Sequence, residues 1–134
     1  MDRKALHTFI TNFYQAWQDR DADKIPTFYH DNVCAYSDFK KVSLHDMLNR
    51  IEFSRNQFSE TNYNIQDLFI DESQGKIAIR MKQHHILKDG TGDFSCDAIM
   101  HYTVIDYKIT EISMSFYPNV DYLNNEKIAI CTSA

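Results

Sequence analysis

Glycine and proline are nearly missing from this chain, with three and two among 134 residues. No linker, internal repeat or low-complexity tract is visible, so residues 1–134 read as a single domain long enough to bury a sizeable core. Cysteine is also scarce. Cys34, Cys96 and Cys131 are odd in number and none stands in a CxxC pair, which argues against a disulfide framework; they read as reduced thiols of a cytoplasmic protein. No apolar run approaches membrane-spanning length. The start, Met1-Asp2-Arg3-Lys4-Ala5-Leu6, has no apolar stretch behind its charges and does not read as a secretory signal, so no membrane is expected as a partner. Lys and Arg form no run or patch, and with a net charge of −5 no nucleic-acid partner is expected.

What is present is aromatic and patterned. Leu6, Phe9, Ile10, Phe13 and Trp17 recur at helical spacing and predict an amphipathic helix over about 3–18. Asp21 or Asp23 is placed to cap a short second helix carrying Ile25, Phe28 and Tyr29, with Pro26 tolerated in its first turn. Val33 to Tyr36 reads as a strand. Ser43 with Asp46 three residues on predicts the capped start of a further helix, whose apolar face holds Leu44, Met47, Leu48, Ile51 and Phe58.

From Tyr63 the apolar period changes to two, and strands are predicted over about 62–72, 76–88, 93–105 and 109–117. A two-residue turn at Gln74-Gly75 would set Asp67 opposite Lys82. A turn at Asp89–Gly92 would pair Lys88 with Asp93, Leu87 with Phe94, Met81 with Met100 and Ile79 with Tyr102. A loop at Asp106-Tyr107-Lys108 would pair Tyr102 with Ile112, Met100 with Met114 and Ala98 with Phe116, with positive φ expected at Tyr107 or Lys108 because no glycine is there. One apolar face results, and the helices should cover it. The other face mixes Arg80, Lys82, His84, Asp97, His101 and Glu111 with Ile99 and Ile105, a pattern that fits partial cover by a second subunit. Residues 119–134 form an extension that reads equally as strand, helix or partner contact.

This order, with Phe13-Tyr14-Gln15-Ala16-Trp17 through Asp21-Ala22-Asp23 and Val104-Ile105-Asp106-Tyr107-Lys108-Ile109-Thr110-Glu111-Ile112, resembles the nuclear-transport-factor-2-like superfamily over about residues 3–118. The SnoaL-like branch, with its polyketide cyclases and the related ketosteroid isomerases, is the part it looks most like. The resemblance implies an α+β cone (a cystatin-like roll): a curved antiparallel sheet wraps around N-terminal helices, leaves a deep pocket, and often forms a homodimer through its outer face. Enzymes and binding modules share that fold, so the site must decide function. Ketosteroid isomerases use a tyrosine on the first helix, an aspartate base at the end of the first strand and a protonated aspartic acid on a later strand. The matching positions here hold Phe13, Ser37 and Met100. Tyr14 is turned about 100° from Phe13 by helical geometry; like Tyr29, Tyr36 and Tyr102 it reads either as a hydroxyl offered to a ligand or as a packed ring. Asp38 lies one residue past the base position and would serve as base only if a bulge turned it inward. The acidic residue used by SnoaL-like cyclases has no evident inward counterpart.

The resemblance leaves a small, largely apolar organic molecule as the expected ligand, held without metal or cofactor. Its walls would be Phe13, Trp17, Ser37, Met81, Met100, Met114 and Phe116, with Gln83 and Tyr102 as polar orienters. A collapsed core without a cavity is the plain alternative. His85 is the candidate acid/base: alternation turns it inward opposite Cys96, near Asn64 and Gln66, where an imidazole would titrate near neutral pH. The other reading of His85 is a hydrogen-bonded polar rim. Cys96 reads as a nucleophile based on His85 or as a small core residue, and His84 opposite Asp97 and His101 opposite Arg80 read as surface pairs. Proton-transfer chemistry of the isomerase, cyclase or dehydratase type competes with a non-catalytic association module built on the outer face.

Overall fold

The computed structural model describes residues 1–117; the extension at 119–134, with Cys131, lies outside them. Helix α1 (Arg3–Asp19) starts at Asp2, whose side chain accepts the Ala5 N–H at 2.8 Å, and ends at Arg20 in the left-handed region. Its buried stripe is Leu6, Phe9, Ile10, Phe13, Tyr14 and Ala16; full burial of each large apolar side chain stabilises the fold by about 1.5–3 kcal/mol. Asp21 accepts the N–H groups of Asp23 and Lys24 at 3.1 and 3.0 Å, and this turn leads into a 3-10 helix at Ile25–Phe28 with Pro26 in its first turn. Tyr29, expected in that helix, instead opens β1 (Tyr29–Ser37).

A hairpin leads to β2 (Lys40–Val42) through Asp38 and Phe39, both at positive φ. Helix α2 (Leu44–Gln57) carries the expected capping box: Ser43 accepts the Asp46 N–H at 3.0 Å, and Asp46 accepts the Ser43 N–H at 3.4 Å. Phe58 lies past its end and begins β3 (Phe58–Asp71), so that strand starts earlier than its alternation indicates. The remaining strands are β4 (Lys76–Leu87), β5 (Asp93–Ile105) and β6 (Lys108–Tyr117).

The six strands form one sheet in the order β2-β1-β6-β5-β4-β3. All neighbours are antiparallel except β1 and β6, which run parallel, so the sheet is mixed. The β5–β6 register matches the sequence expectation, with Tyr102 on Ile112, Met100 on Met114 and Ala98 on Phe116. The connection is tighter than expected, a two-residue turn with Asp106 and Tyr107 both at positive φ; a bulge between Thr103 and Val104 absorbs the difference.

Two other registers differ from expectation by two residues. In β4–β5, Met81 faces Ala98, Ile79 faces Met100 and Ile86 faces Asp93. Lys88, expected to pair with Asp93, sends its N–H to Gln57 O at 2.9 Å at the end of α2, and this removes it from the ladder. In β3–β4, Asp71 pairs with Lys76, because Asp71 accepts both the Ser73 N–H and its hydroxyl and so builds a four-residue turn. Asp67 therefore meets Arg80 at 2.7 Å rather than Lys82. A shift of two keeps every side chain on its expected face.

Inward residues of β4, β5 and β6 share one buried core with α1. Phe13 sits at the centre of this core, with the rings of Tyr14, Phe28, Tyr29 and Tyr102 each edge-on to it at 5.2–5.7 Å. Arg20 ties the helices to the sheet: its guanidinium donates to the carbonyls of Ser54, Phe58 and Ser59.

Candidate functional site

Between α1, α2 and the inner sheet face lies a cavity with about 560 Å³ of atom-free space, counting its opening to solvent; the centre of a water-sized sphere fits in ≈ 60 Å³ of it. One such sphere needs roughly 10–15 Å³. The space therefore suits a few waters or one compact ring, and the core is not fully collapsed.

Of the residues expected to form the walls, Phe13, Trp17, Met100, Met114 and Phe116 line the cavity, as do Gln83, Tyr102 and His85. Met81 does not reach it; it is buried beneath Gln83, whose Nε2 lies 3.5 Å from the Met81 sulfur. Ser37 is absent too: it pairs with Met114 in the β1–β6 ladder, but only Met114 of the two lines the cavity. Asp38 does not turn in: its carboxylate accepts the Phe116 N–H at 3.2 Å, and its own N–H donates to Met114 O.

Of the tyrosines able to offer a hydroxyl, Tyr14, Tyr29 and Tyr102 line the cavity and Tyr36 does not. Helical geometry turns Tyr14 away from Phe13, but the sheet covers that flank as well, with the Tyr63 ring 5.7 Å away. Tyr14 is buried in the cavity wall, its hydroxyl in a short hydrogen bond with the Tyr102 hydroxyl. One of the two donates to the other, which leaves one O–H of the pair to point elsewhere. Burial raises the pKa of both, and the neighbouring Tyr14 raises Tyr102 further, so both stay protonated donors. Tyr29 and Tyr63, also in the wall, are raised by burial; the Trp17 side chain hydrogen-bonds Tyr29.

His85 is 1% exposed and lies between the rings of Phe58 and Phe94, with centroids 4.5 and 4.9 Å away. It faces Phe94 across the ladder, not Cys96, which sits opposite Gln83. Thr61, rather than Asn64 or Gln66, is its cross-strand partner: Nδ1 is 3.0 Å from the Thr61 hydroxyl, and Nε2 is 3.2 Å from Gln83 Oε1. An amide oxygen only accepts, so Nε2 carries the proton and Nδ1 accepts from Thr61. Burial, aided by His84 and Arg20, lowers its pKa from 6.5 to about 3 instead of leaving it near neutral. The imidazole is thus neutral, with both nitrogens engaged. On the surface, His84 pairs with Asp93 at 2.6 Å and Lys82 with Asp97 at 3.8 Å, replacing the expected His84–Asp97 pairing, and Arg80 faces Ile99 rather than His101.

From α2 come Met47, Arg50 and Ser54, one buried stripe at helical spacing that lines the cavity. Arg50 is 8% exposed, with Nη1 3.6 Å from the Met114 sulfur. Among the described residues no carboxylate lines the cavity and Arg50 is its one permanently charged side chain. Also among the described residues, no three His, Cys, Asp or Glu side chains gather as metal ligands would, and no helix is long and apolar enough to cross a membrane.

A mixed, mostly antiparallel sheet wrapped on two helices around an interior pocket defines an α+β cone of the nuclear-transport-factor-2-like kind. Residues 10–112 match the SnoaL-like domain, and the chain belongs to that family. No curated protein matches it in sequence. Similar solved structures include BvnE pinacolase from Penicillium brevicompactum (11% identity, 99% of this chain and 97% of that one, TM-score 0.78). A candidate SnoaL-like polyketide cyclase from Shewanella putrefaciens is also similar (14%, 94% and 86%, 0.71). So is a protein with a ketosteroid isomerase-like fold from Catenulispora acidiphila (9%, 79% and 82%, 0.66). At these identities the likeness is one of fold.

Proposed function

We propose that this chain binds a small, largely apolar organic molecule in the cone and promotes proton-transfer chemistry on it, of the isomerase, cyclase or dehydratase type. The observation that carries this reading is the Tyr14–Tyr102 hydroxyl pair in a cavity walled by aromatic and methionine side chains. A protonated phenol pair in a largely apolar site donates to a carbonyl oxygen and stabilises negative charge on it. In this scheme His85 is a positioning residue: it holds Gln83 at the cavity edge by its Nε2 proton.

The chain's single tryptophan, Trp17, lines the cavity and reports binding by its fluorescence. Small cyclic ketones should shift its emission, and Tyr102→Phe should weaken the ketones by about 2–10-fold, the worth of one hydrogen bond. Hydrocarbons of the same shape should be unaffected. Failure of any ketone to shift Trp17 would defeat the reading.

A second reading, homodimerisation through the outer sheet face, is favoured by Ile99 and Ile105, which are 51% and 54% exposed at its centre and edge. It is compatible with the first. A monomer at all concentrations in sedimentation velocity would remove it.

A further inference from the structure

The cavity wall carries two polar points that do not meet. The first is the Tyr14–Tyr102 hydroxyl pair, brought there by α1 and β5. The second is Ser54, one turn before the end of α2. This residue is 5% exposed, and its hydroxyl has no hydrogen-bond partner among the described residues. A serine inside a helix can turn its O–H back onto the carbonyl one turn earlier; Ser54 does not. Its own carbonyl accepts from the Phe58 N–H and the Arg20 guanidinium, so the shortfall lies in the side chain. A buried hydroxyl left unpaired is destabilising, and folded proteins keep few of them. Such a group has one proton to donate and two lone pairs to accept on. A ligand hydroxyl can meet it either way, whereas a ligand carbonyl can only accept. Between the two polar points the wall is aromatic and methionine.

We propose that Ser54 is the second polar anchor of the cone and that the molecule bound there is a small cyclic hydroxyketone. Its carbonyl takes the O–H that the tyrosine pair leaves over, its hydroxyl meets Ser54, and its ring carbons lie against Phe13, Trp17 and Met100. Two anchors fix the orientation of a compact ring, whereas a single hydrogen bond leaves it free to turn about that bond. A ring of the same shape without the hydroxyl leaves Ser54 unpaired, so the site discriminates against it. This inference rests on the reading of the cone as a ketone site and narrows its ligand.

Trp17 fluorescence titrations test it with 3- and 4-hydroxycyclohexanone, each beside the methylcyclohexanone substituted at the same carbon. In Ser54→Ala, at least one hydroxyketone should lose about 2–10-fold in affinity relative to its methyl partner, as expected for one hydrogen bond. Taking that ratio cancels the different desolvation of a hydroxyl and a methyl group. Tyr102→Phe should weaken each hydroxyketone and its methyl partner alike, since both offer the same carbonyl. Without ligand, Ser54→Ala should melt a few degrees above wild type, because an unpaired buried hydroxyl is gone and alanine favours the helix. A serine with a merely structural role would lower the melting temperature when removed. Unchanged ratios at both ring positions would overturn the second anchor and leave the ketone reading standing. So would an equal loss for hydroxy and methyl probes, which would report a change of cavity shape. Silence of Trp17 toward all four ketones would overturn both readings.

Discussion

Acidification from pH 7 to 4.5 probes the buried imidazole of the cavity wall. His85 lies between Phe58 and Phe94, with Thr61 and Gln83 on its two nitrogens. Burial lowers its pKa to about 3, while the unfolded chain takes up the proton near the ordinary value of 6.5. Between these values the unfolded state holds one more proton than the folded state, so stability is full above pH 6.5 and is lost as pH falls toward 3. The slope approaches about 1.4 kcal/mol per pH unit, and the loss between pH 7 and 4.5 amounts to about 2–3 kcal/mol. For a domain of this size that is a fall of roughly 6–15 °C in Tm. Urea unfolding of wild type and His85→Gln at half-unit pH steps gives the measurement. Glutamine is neutral and offers donor and acceptor groups to Thr61 and Gln83, and the remaining titrating groups largely cancel in the difference. The wild-type curve should drop relative to the variant by the stated amount. Parallel curves would refute the account, because they would mean that His85 takes its proton in the folded state.

Gly75→Ala should destabilise by about 1–3 kcal/mol in chemical denaturation: φ is +65°, and a Cβ would stand 2.5 Å from the Val104 carbonyl oxygen, so an unchanged midpoint would contradict the packing there. Phe39→Gly should stabilise by up to about 1 kcal/mol, since Phe39 is 94% exposed with φ at 67° and has little packing to lose; a lower Tm would show that its ring has another role. Alkaline melts should show stability falling above pH 10, where unfolded tyrosines ionise while folded Tyr14 and Tyr102 keep their protons. Tyr14→Phe should make that fall shallower, and the same pH dependence in wild type and variant would argue against a buried pair.

Most of the frame was legible in the sequence because period and capping are local signals. Ser43 with Asp46 marked the start of α2, and alternation from Tyr63 onward put Met100, Tyr102, Met114 and Phe116 on the inner face. Registers were harder, because turns are closed by side chains and distant carbonyls: Asp71 lengthened one hairpin, and Gln57 drew Lys88 out of another. Tyr14 was legible as a candidate hydroxyl but not as the partner of Tyr102, because a helical wheel assumes one buried face, whereas the sheet here covers two. Arg50 left a fainter signal, a cation inside the stripe Met47-Arg50-Ile51-Ser54 where an apolar residue would be the ordinary choice. Ser37 came from the resemblance alone, and nothing in the sequence of the first strand announces that β6 runs parallel beside it.

That parallel neighbour has a temporal consequence. Asp38 lies 78 residues before the Phe116 amide it accepts from. At 5–20 residues per second, a ribosome needs about 4–16 s to make the intervening chain. Through that delay the first helix and strand wait with their aromatic rings uncovered, and the wall of the cone closes only when β6 arrives. Those seconds are the interval in which a chaperone would find these rings exposed.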